Sequence, residues 1–309
     1  MGFLEALSAQ AAFINAEVIP WVLRVVMVGL GLSLTVADFR RVVVFPKAAT
    51  IGLIAQLVGM PLTAFLLVWL FNPPPFLAIG LIILAACPSG VTSNAYTFAA
   101  RADVPLCVTL SAITSVVTVF SIPFLINFAL VTFGDEGQLV TLPVLSMLGQ
   151  LITYTMVPLV IGMLIRARFP GAATRAEEPL RKGILYLMAC VLLLGVISSY
   201  RQLIEHAATA GFLATALNLL TMGLGYGVAR LFRLPVKQAV TMVFEVGVQN
   251  LALSFAINFN MLNRPDLAVA GLTYAAIMPA TALVFVSIGR RLIAADERAR
   301  AGQPPAAVR

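Results

Sequence analysis

The chain has 309 residues, of which 61% are hydrophobic and only 11% charged, and it carries a formal net charge of +7. A soluble domain of this length cannot hide so much apolar surface, so the composition excludes a soluble enzyme or binding module and points to an all-α polytopic membrane protein. The positive balance does not point to nucleic acid, because the basic residues lie in short connections between apolar runs, as in loops facing an anionic leaflet.

Nine apolar runs read as transmembrane helices. They cover residues 18–37, 48–71, 76–100, 104–132, 139–165, 183–200, 208–232, 236–259 and 266–288. The first ends at Asp38-Phe39-Arg40-Arg41 and the second at Asn72-Pro73-Pro74-Pro75. Glu5 and Glu17 precede the first basic residue, Arg24, which is a poor start for a signal peptide. Between the fifth and sixth runs, residues 166–182 form a charged connection that reads as solvated, as does the tail after Ala295. Cys87, Cys107 and Cys190 all fall within apolar runs, so neither a disulfide framework nor a metal-ligand spacing is expected.

Alternation of spans and connections puts 17 of the 20 basic residues on one side. These are Arg40, Arg41, Lys47, Arg101, the five between Arg166 and Lys182, Arg230, Arg233, Lys237, and the five from Arg290 onward. The other side receives Arg201, Arg264 and Arg24, with the acidic Asp135 and Glu136. By the positive-inside rule the basic side is cytoplasmic, the amino terminus is outside and the carboxy terminus inside.

Two of the runs are interrupted. The third breaks at Cys87-Pro88-Ser89-Gly90 and continues as Thr92, Ser93 and Asn94. Pro88 cannot donate to a helix, and Gly90 tolerates any backbone angle. The eighth carries Glu245, Gly247, Gln249 and Asn250 at similar depth. A pair of interrupted spans in corresponding parts of a chain is the mark of an inverted-repeat transporter, with binding at the breaks. Each break offers amides to an anion and carbonyls to a cation.

Glu245 is the acidic residue set deepest in an apolar run. A mid-membrane carboxylate costs roughly 2.5–3.5 kcal/mol on insertion scales. It must be protonated, paired with a cation, or wetted. Gln249, four residues on, shares its helical face. The cluster therefore reads either as a cation site or as a neutral glutamic acid hydrogen-bonded to Gln249. Gln56, mid-span in the second run, and Cys107 with Ser111, one turn apart in the fourth, can converge on it. Asn127, Asn218, Asn258 and Asn260 lie nearer span ends and read as interhelical or interfacial hydrogen bonds. The glycines at 29, 31, 223, 225 and 227 read as close-packing seams. His206 is the lone histidine, no Ser-His-Asp set forms, and no phosphate-binding glycine loop is present, so neither an enzyme nor ATP-driven transport is expected.

At these residues the chain resembles a known family. Cys87-Pro88-Ser89-Gly90-Val91-Thr92-Ser93-Asn94 with Ala99-Ala100-Arg101, and Phe244-Glu245-Val246-Gly247-Val248-Gln249-Asn250, are similar to the two signature motifs of the bile acid:sodium symporter family. Gly29-Leu30-Gly31-Leu32 with Asp38-Phe39 resembles its amino-terminal cytoplasmic turn. The similarity extends from about residue 20 to 290.

The resemblance implies two inverted repeats with two crossed discontinuous helices. Here they would take a nine-helix form lacking the family's first helix. It implies a panel helix in residues 1–41, a first part of the core domain in 42–132, panel helices in 133–204, a second part of the core in 205–291, and a cytoplasmic tail in 292–309. It further implies two sodium sites. The first would use Ser93, Asn94, Ser111, Glu245 and the position of Cys107, and the second Gln56, Glu245, Gln249 and the carbonyls of Val246 and Val248. Cys107 departs from the hydroxyl the family places there, and a thiol is a poor ligand for a hard cation.

The implied function is sodium-coupled symport of an organic anion, bile-acid-like or a small carboxylate. The anion would be bound near Thr92, Asn94 and Asn250, in the plasma or inner membrane, with lipid as the other partner and no obligate protein partner. Proton coupling through Glu245, and a non-transporting sensor or scaffold of the same fold, are the competing readings. Val91, and a last span without an obvious polar side chain at Ala275-Ala276-Ile277, imply a pocket with polar contacts of its own.

Overall fold

The computed structural model describes residues 3–44, 46–134 and 143–301, and these are almost entirely helical. Helix α1 (Phe3–Ser33) is followed after Leu34 and Thr35 by α2 (Val36–Val44). The two axes differ by 75°. Asp38 holds this corner: its Oδ2 accepts from the Thr35 amide at 2.8 Å and the Thr35 hydroxyl at 2.6 Å, and its Oδ1 accepts from Arg41 at 3.2 Å. A threonine cap answered by an acidic side chain three residues on is a helix start, so the Asp38–Arg41 motif opens a second helix and does not end the first.

Helix α3 (Pro46–Phe71) contains a π turn at Ala55–Gly59, and stops at Asn72, which takes a left-handed φ of 40° ahead of three prolines. Then come α4 (Pro75–Ala86), α5 (Thr92–Ala99) and α6 (Val104–Phe133). After the segment outside the described residues, which includes Asp135, Glu136 and the expected start of the fifth run at residue 139, α7 (Val144–Arg168) has a second π turn at Ile152–Met156.

A single non-helical residue, Phe169, separates α7 from α8 (Pro170–Ser198). The charged stretch 166–182 is thus helix rather than loop: its alanines and long polar side chains favour helix, and Pro170 stands at the first turn, where a proline is tolerated. Helix α9 (Tyr200–Glu205), α10 (Ala207–Leu231), α11 (Val236–Gly247), α12 (Leu251–Met261) and α13 (Ala268–Ala301) complete the chain. Helix α13 carries well past residue 288, so the start of the expected tail is also helical. The tail from residue 302, Arg309 included, lies outside the described residues.

Among the described residues five helices are long and apolar enough to cross a membrane, and the bent α1–α2 pair makes a sixth. Pro75–Ala86, Lys182–Ser198 and Leu251–Met261 are shorter apolar helices. Large apolar side chains stand on the outside, among them Trp69, Phe124, Leu164, Leu193 and Leu283. In water such a surface would aggregate; against lipid it costs nothing. The protein is an integral membrane protein.

Helix α10 packs on α11 and α13, α4 on α6 and α13, and α1 on α7 and α8. The glycine seams are real at two places. A side chain at Gly31 would strike the Leu159 carbonyl of α7, and one at Gly225 the Met242 carbonyl of α11, whereas Gly223 and Gly227 face open space. Arg24 lies 4.6 Å from the Trp21 ring centre and 4.7 Å from that of Tyr154, and this cation–π pairing accommodates its charge within α1.

Several basic residues share one end of the bundle. Lys237 pairs with Glu297 at 2.9 Å, Arg290 donates to the Ala99 carbonyl at 2.6 Å, and Arg41 lines a cavity with Asp103.

Candidate ion and substrate site

Helix α4 stops because Pro88 forces the residue before it out of helical geometry; Cys87 is extended, with φ −70° and ψ 152°. Helix α11 stops at Gly247, and Val248 is likewise extended, with φ −113° and ψ 106°. The side chain of Asn250 then caps α12, its Oδ1 accepting from the Leu253 amide at 3.1 Å. The two extended segments cross and pair antiparallel through Ser89 and Gln249. Gly90 N–H donates to the Val248 carbonyl at 2.9 Å, and Asn250 N–H to the Pro88 carbonyl at 3.0 Å. Backbone groups released from both helices thereby satisfy one another far from water.

The glycines serve this crossing by their size. No glycine among the described residues has a positive φ. A Cβ on Gly90 would lie 2.8 Å from the Gln249 carbonyl oxygen, and one on Gly247 would strike Met222 of α10. Close approach, and not backbone freedom, is what Gly90 supplies.

Glu245 is fully buried at the last turn of α11. The Ser111 hydroxyl on α6 lies 3.1 and 2.9 Å from its two carboxyl oxygens. Oε2 also faces the Cys107 thiol at 3.2 Å and the Ser93 hydroxyl at 3.5 Å. Ser93 and Cys107 are 3.5 Å apart. Ser89 donates to Ser93 at 2.9 Å, and Thr97 to Cys107 at 3.3 Å. Four of the five residues expected at the first ion site are thus one hydrogen-bonded cluster, joined by Ser89 and Thr97, which the sequence reading missed. Ser89 sits in the quoted break, and Thr97 lies four residues after Ser93 on the same face. The fifth, Asn94, keeps its Oδ1 buried with no hydrogen-bond partner.

The second set also converges. Gln56, within the π turn of α3, donates to the Cys87 carbonyl and to Gln249 Oε1, each at 3.2 Å. Gln249 donates to the Val246 carbonyl at 2.7 Å. The Val248 carbonyl already accepts from Gly90. A carbonyl has a second lone pair, so both valines keep acceptor capacity. Gln56 Oε1 is buried without a partner.

A further network went unread. Asn218 on α10 and Tyr274 on α13 both donate to the freed Gly247 carbonyl, at 2.9 and 2.8 Å, and Thr281 donates to Asn218 Oδ1 at 2.6 Å. Asn218 is the interhelical hydrogen bond its position suggested. The last helix is less bare than the 275–277 stretch implied, since Tyr274 and Thr281 flank it. Asn258 differs from expectation: it is fully buried, and neither polar atom of its side chain has a partner.

Thr92, at the start of α5, lines a cleft with Gly29 and Ser33 of α1, Val91, Ala95, and Leu180, Ile184 and Leu185 of α8. Asn94 and Asn250 are not among its lining residues. The cleft is mostly apolar, with two hydroxyl groups, at the beginning of a half-helix.

The family model described as "Sodium Bile acid symporter family" matches residues 20–206, more than half of the chain. The chain belongs to this family. Its relatives include the uncharacterized sodium-dependent transporter YocS of Bacillus subtilis, 28% identical over 241 residues, 76% of this chain and 71% of the relative. The human ileal sodium/bile acid cotransporter is 25% identical over 244 residues, 78% of this chain and 69% of the relative. The probable sodium/metabolite cotransporter BASS1 of Arabidopsis thaliana chloroplasts is 29% identical over 248 residues, 80% of this chain. That aligned stretch is 60% of the plant relative's length. In this member of the sodium bile acid symporter family, the matched region includes Gln56, the first break, Cys107 and Ser111, while Glu245 and the second break lie beyond it.

Proposed function

We propose that this member of the family is a sodium-coupled secondary active symporter of a small organic anion, working by alternating access. The observation that carries the reading is a carboxylate accompanied by acceptor oxygens that lack donors. Glu245 is fully buried at the crossover, and Gln56 Oε1 and Asn94 Oδ1 are buried with no hydrogen-bond partner. Buried oxygen acceptors left without protons, in the segments that meet a buried carboxylate, suit a hard monovalent cation, here a co-transported substrate.

Ser93, Asn94, Ser111 and Glu245 would hold one sodium ion, with Cys107 a weak member of that set. Gln56, Glu245, Gln249 and the carbonyls of Val246 and Val248 would hold another, and every donor there is oxygen. Bound sodium would offset the charge of Glu245 and fix the two crossed segments against each other. The anion would enter the cleft at Thr92, where hydroxyl groups and half-helix amides receive its head group and the apolar walls its body.

Nine traversals are our count, with α4–α5 and α11–α12 as the two discontinuous ones and the basic end cytoplasmic. Helices α3–α6 and α10–α13 would form the core, and α1, α7 and α8 the panel. The cleft between α5 and the α1–α8 pair lies on that proposed seam. Coupling requires sodium to favour the anion-binding state, since equal affinity for all states would couple nothing. Proton coupling is the second reading, favoured by Cys107, which places a soft thiol where an oxygen would serve sodium better.

Uptake into proteoliposomes tests the proposal, with a panel of bile salts and small carboxylates driven by an inward sodium gradient. Accumulation with sodium, and its loss when potassium replaces it, is expected for at least one anion. Accumulation driven equally by a proton gradient with potassium would replace sodium by the proton.

A further inference from the structure

Arg24 lies within the membrane-spanning part of α1 and belongs neither to the buried cluster at Glu245 nor to the cleft at Thr92. At 1.5 Å per residue it stands about 14 Å along the helix from Ser33, and Tyr154, which it meets on α7, stands about 18 Å from Arg166. Both places are inside a hydrocarbon core of about 30 Å. A guanidinium keeps its proton in a protein, so a charge at this depth needs a partner.

The surroundings face lipid. Trp21 is 65% exposed, and Val18, Ile152 and Val157 are exposed on the neighbouring turns of α1 and α7. Arg24 itself is half-buried. Nearer the basic end the two backbones touch, since a Cβ on Gly31 or Gly162 would strike the other helix. Around Arg24 the seam is instead filled by large side chains, at the π turn Ile152–Met156. Such turns are common at functional positions.

The Trp21 and Tyr154 ring centres lie 4.6 and 4.7 Å from the guanidinium carbon and answer its positive charge. They supply no oxygen for its N–H groups. Arg166, Arg230, Arg264 and Arg290 each donate to a carbonyl or carboxylate oxygen. Among the described residues no oxygen accepts from Arg24. In water those groups would be hydrated; against lipid, the acceptor has to come from the lipid.

We propose that Arg24, Trp21 and Tyr154 form a site for the phosphate of an anionic phospholipid, in the leaflet opposite the basic connections. Helical side chains lean toward the amino terminus, so the guanidinium reaches away from the basic end and toward the head groups of that leaflet. A phosphate meets the N–H fork in the bidentate way a guanidinium favours. The exposed apolar turns at Val18, Ile152 and Val157 receive an acyl chain. A lipid with net negative charge suits the site better than a zwitterionic one, because Arg24 is paired with no described acid. Held there, it bridges α1 and α7 from outside. The inference goes beyond the transport reading and takes from it only the side on which the basic end lies.

The test uses the chain's two tryptophans, Trp21 and Trp69. Trp69 is exposed on α3, so Trp69→Phe should fold and leaves Trp21 as the sole indole. This protein is reconstituted in phosphatidylcholine containing brominated phosphatidylglycerol or brominated phosphatidylcholine at matched mole fraction, and quenching of Trp21 is followed. Phosphatidylglycerol should be preferred at least about fivefold, the share expected of one arginine near a membrane surface. Arg24→Gln should abolish the preference. Arg24→Lys, which keeps the charge and loses the fork, should fall between and shows that charge rather than folding is being read.

Equal quenching by the two lipids with Arg24 present, or a preference that survives Arg24→Gln, would overturn the proposal. Inorganic phosphate in excess should leave the quenching unchanged. Relief of quenching by inorganic phosphate would assign Arg24 to a water-borne anion and overturn the lipid site. None of these outcomes depends on sodium, so the ion site stands or falls separately.

Discussion

Ser89 and Gln249 pair, as an isolated antiparallel bridge, where the extended segments after α4 and α11 cross. The pairing brings two distant parts of the chain to one point and sets the acceptors of Gln56, Gln249 and Glu245 around it. It depends on contact without side chains at Gly90. Gly90→Ala puts a Cβ 2.8 Å from the Gln249 carbonyl oxygen, a backbone atom that cannot swing aside. The variant should lose roughly 1–3 kcal/mol of stability. It should also lose sodium-dependent stabilisation, because the segments that carry the proposed ligands are forced apart. Melting curves in sodium and potassium read both effects; a variant with a wild-type sodium response would detach the crossing from ion binding.

The Gly247 carbonyl accepts from both Asn218 and Tyr274. Tyr274→Phe leaves it one donor and should cost about 1 kcal/mol. Asn218→Ala removes a donor to the Gly247 carbonyl and an acceptor of Thr281, whose hydroxyl keeps the Ile277 and Met278 carbonyls, and should cost roughly 1–3 kcal/mol. Because the residues share partners, the double variant should cost less than the sum, with a coupling of about 1 kcal/mol in a thermal-melt cycle. Additive losses would show that the two side chains act independently.

Cys107 contacts Glu245 Oε2 at 3.2 Å through sulfur. Cys107→Ser exchanges a soft donor for an oxygen of nearly the same reach. The apparent Kd for sodium should fall several-fold, about 1 kcal/mol, if this site takes part in binding. An unchanged sodium response in Cys107→Ser would confine sodium to the Gln56–Gln249 set.

Arg290 donates to the Ala99 carbonyl at the last turn of α5, a helix of only 8 residues. The contact is exposed to water, so Arg290→Ala should cost about 1 kcal/mol or less. Its larger effect should be on mobility, with faster amide exchange through Thr92–Ala99 than through α4. Unaltered exchange in α5 would show that the half-helix is held by its packing alone.

Much of this architecture was legible in the sequence for a physical reason. Proline, glycine and polar residues inside an apolar run are expensive in lipid, so the breaks at Pro88 and Gly247 stand out, and Glu245 stands out most. The approach of Ser111 and Cys107 to Glu245, and of Gln56 to Gln249, followed from their depth. What remained hidden depends on partners. Asn218 and Asn258 are the same residue type within apolar runs; one is satisfied by Gly247 and Tyr274, the other by nothing in this conformation. The helical course of residues 166–182 was obscured because charge signals solvation, and solvation does not exclude helix. The role of Gly90 was misread because the sequence shows a missing side chain but not the carbonyl that occupies its place.

The central claim is that the buried carboxylate and its donor-free oxygens bind sodium, and melting temperature measures it most directly. The protein in detergent is titrated with sodium or potassium at matched ionic strength, for the wild type and Glu245→Gln. A ligand that binds only the folded state stabilises it by about 2.7 kcal/mol at a hundredfold excess over Kd. The account predicts a saturable rise in melting temperature with sodium, absent with potassium and absent in Glu245→Gln. Equal behaviour of sodium and potassium in the wild type, or an undiminished sodium effect in Glu245→Gln, would contradict it.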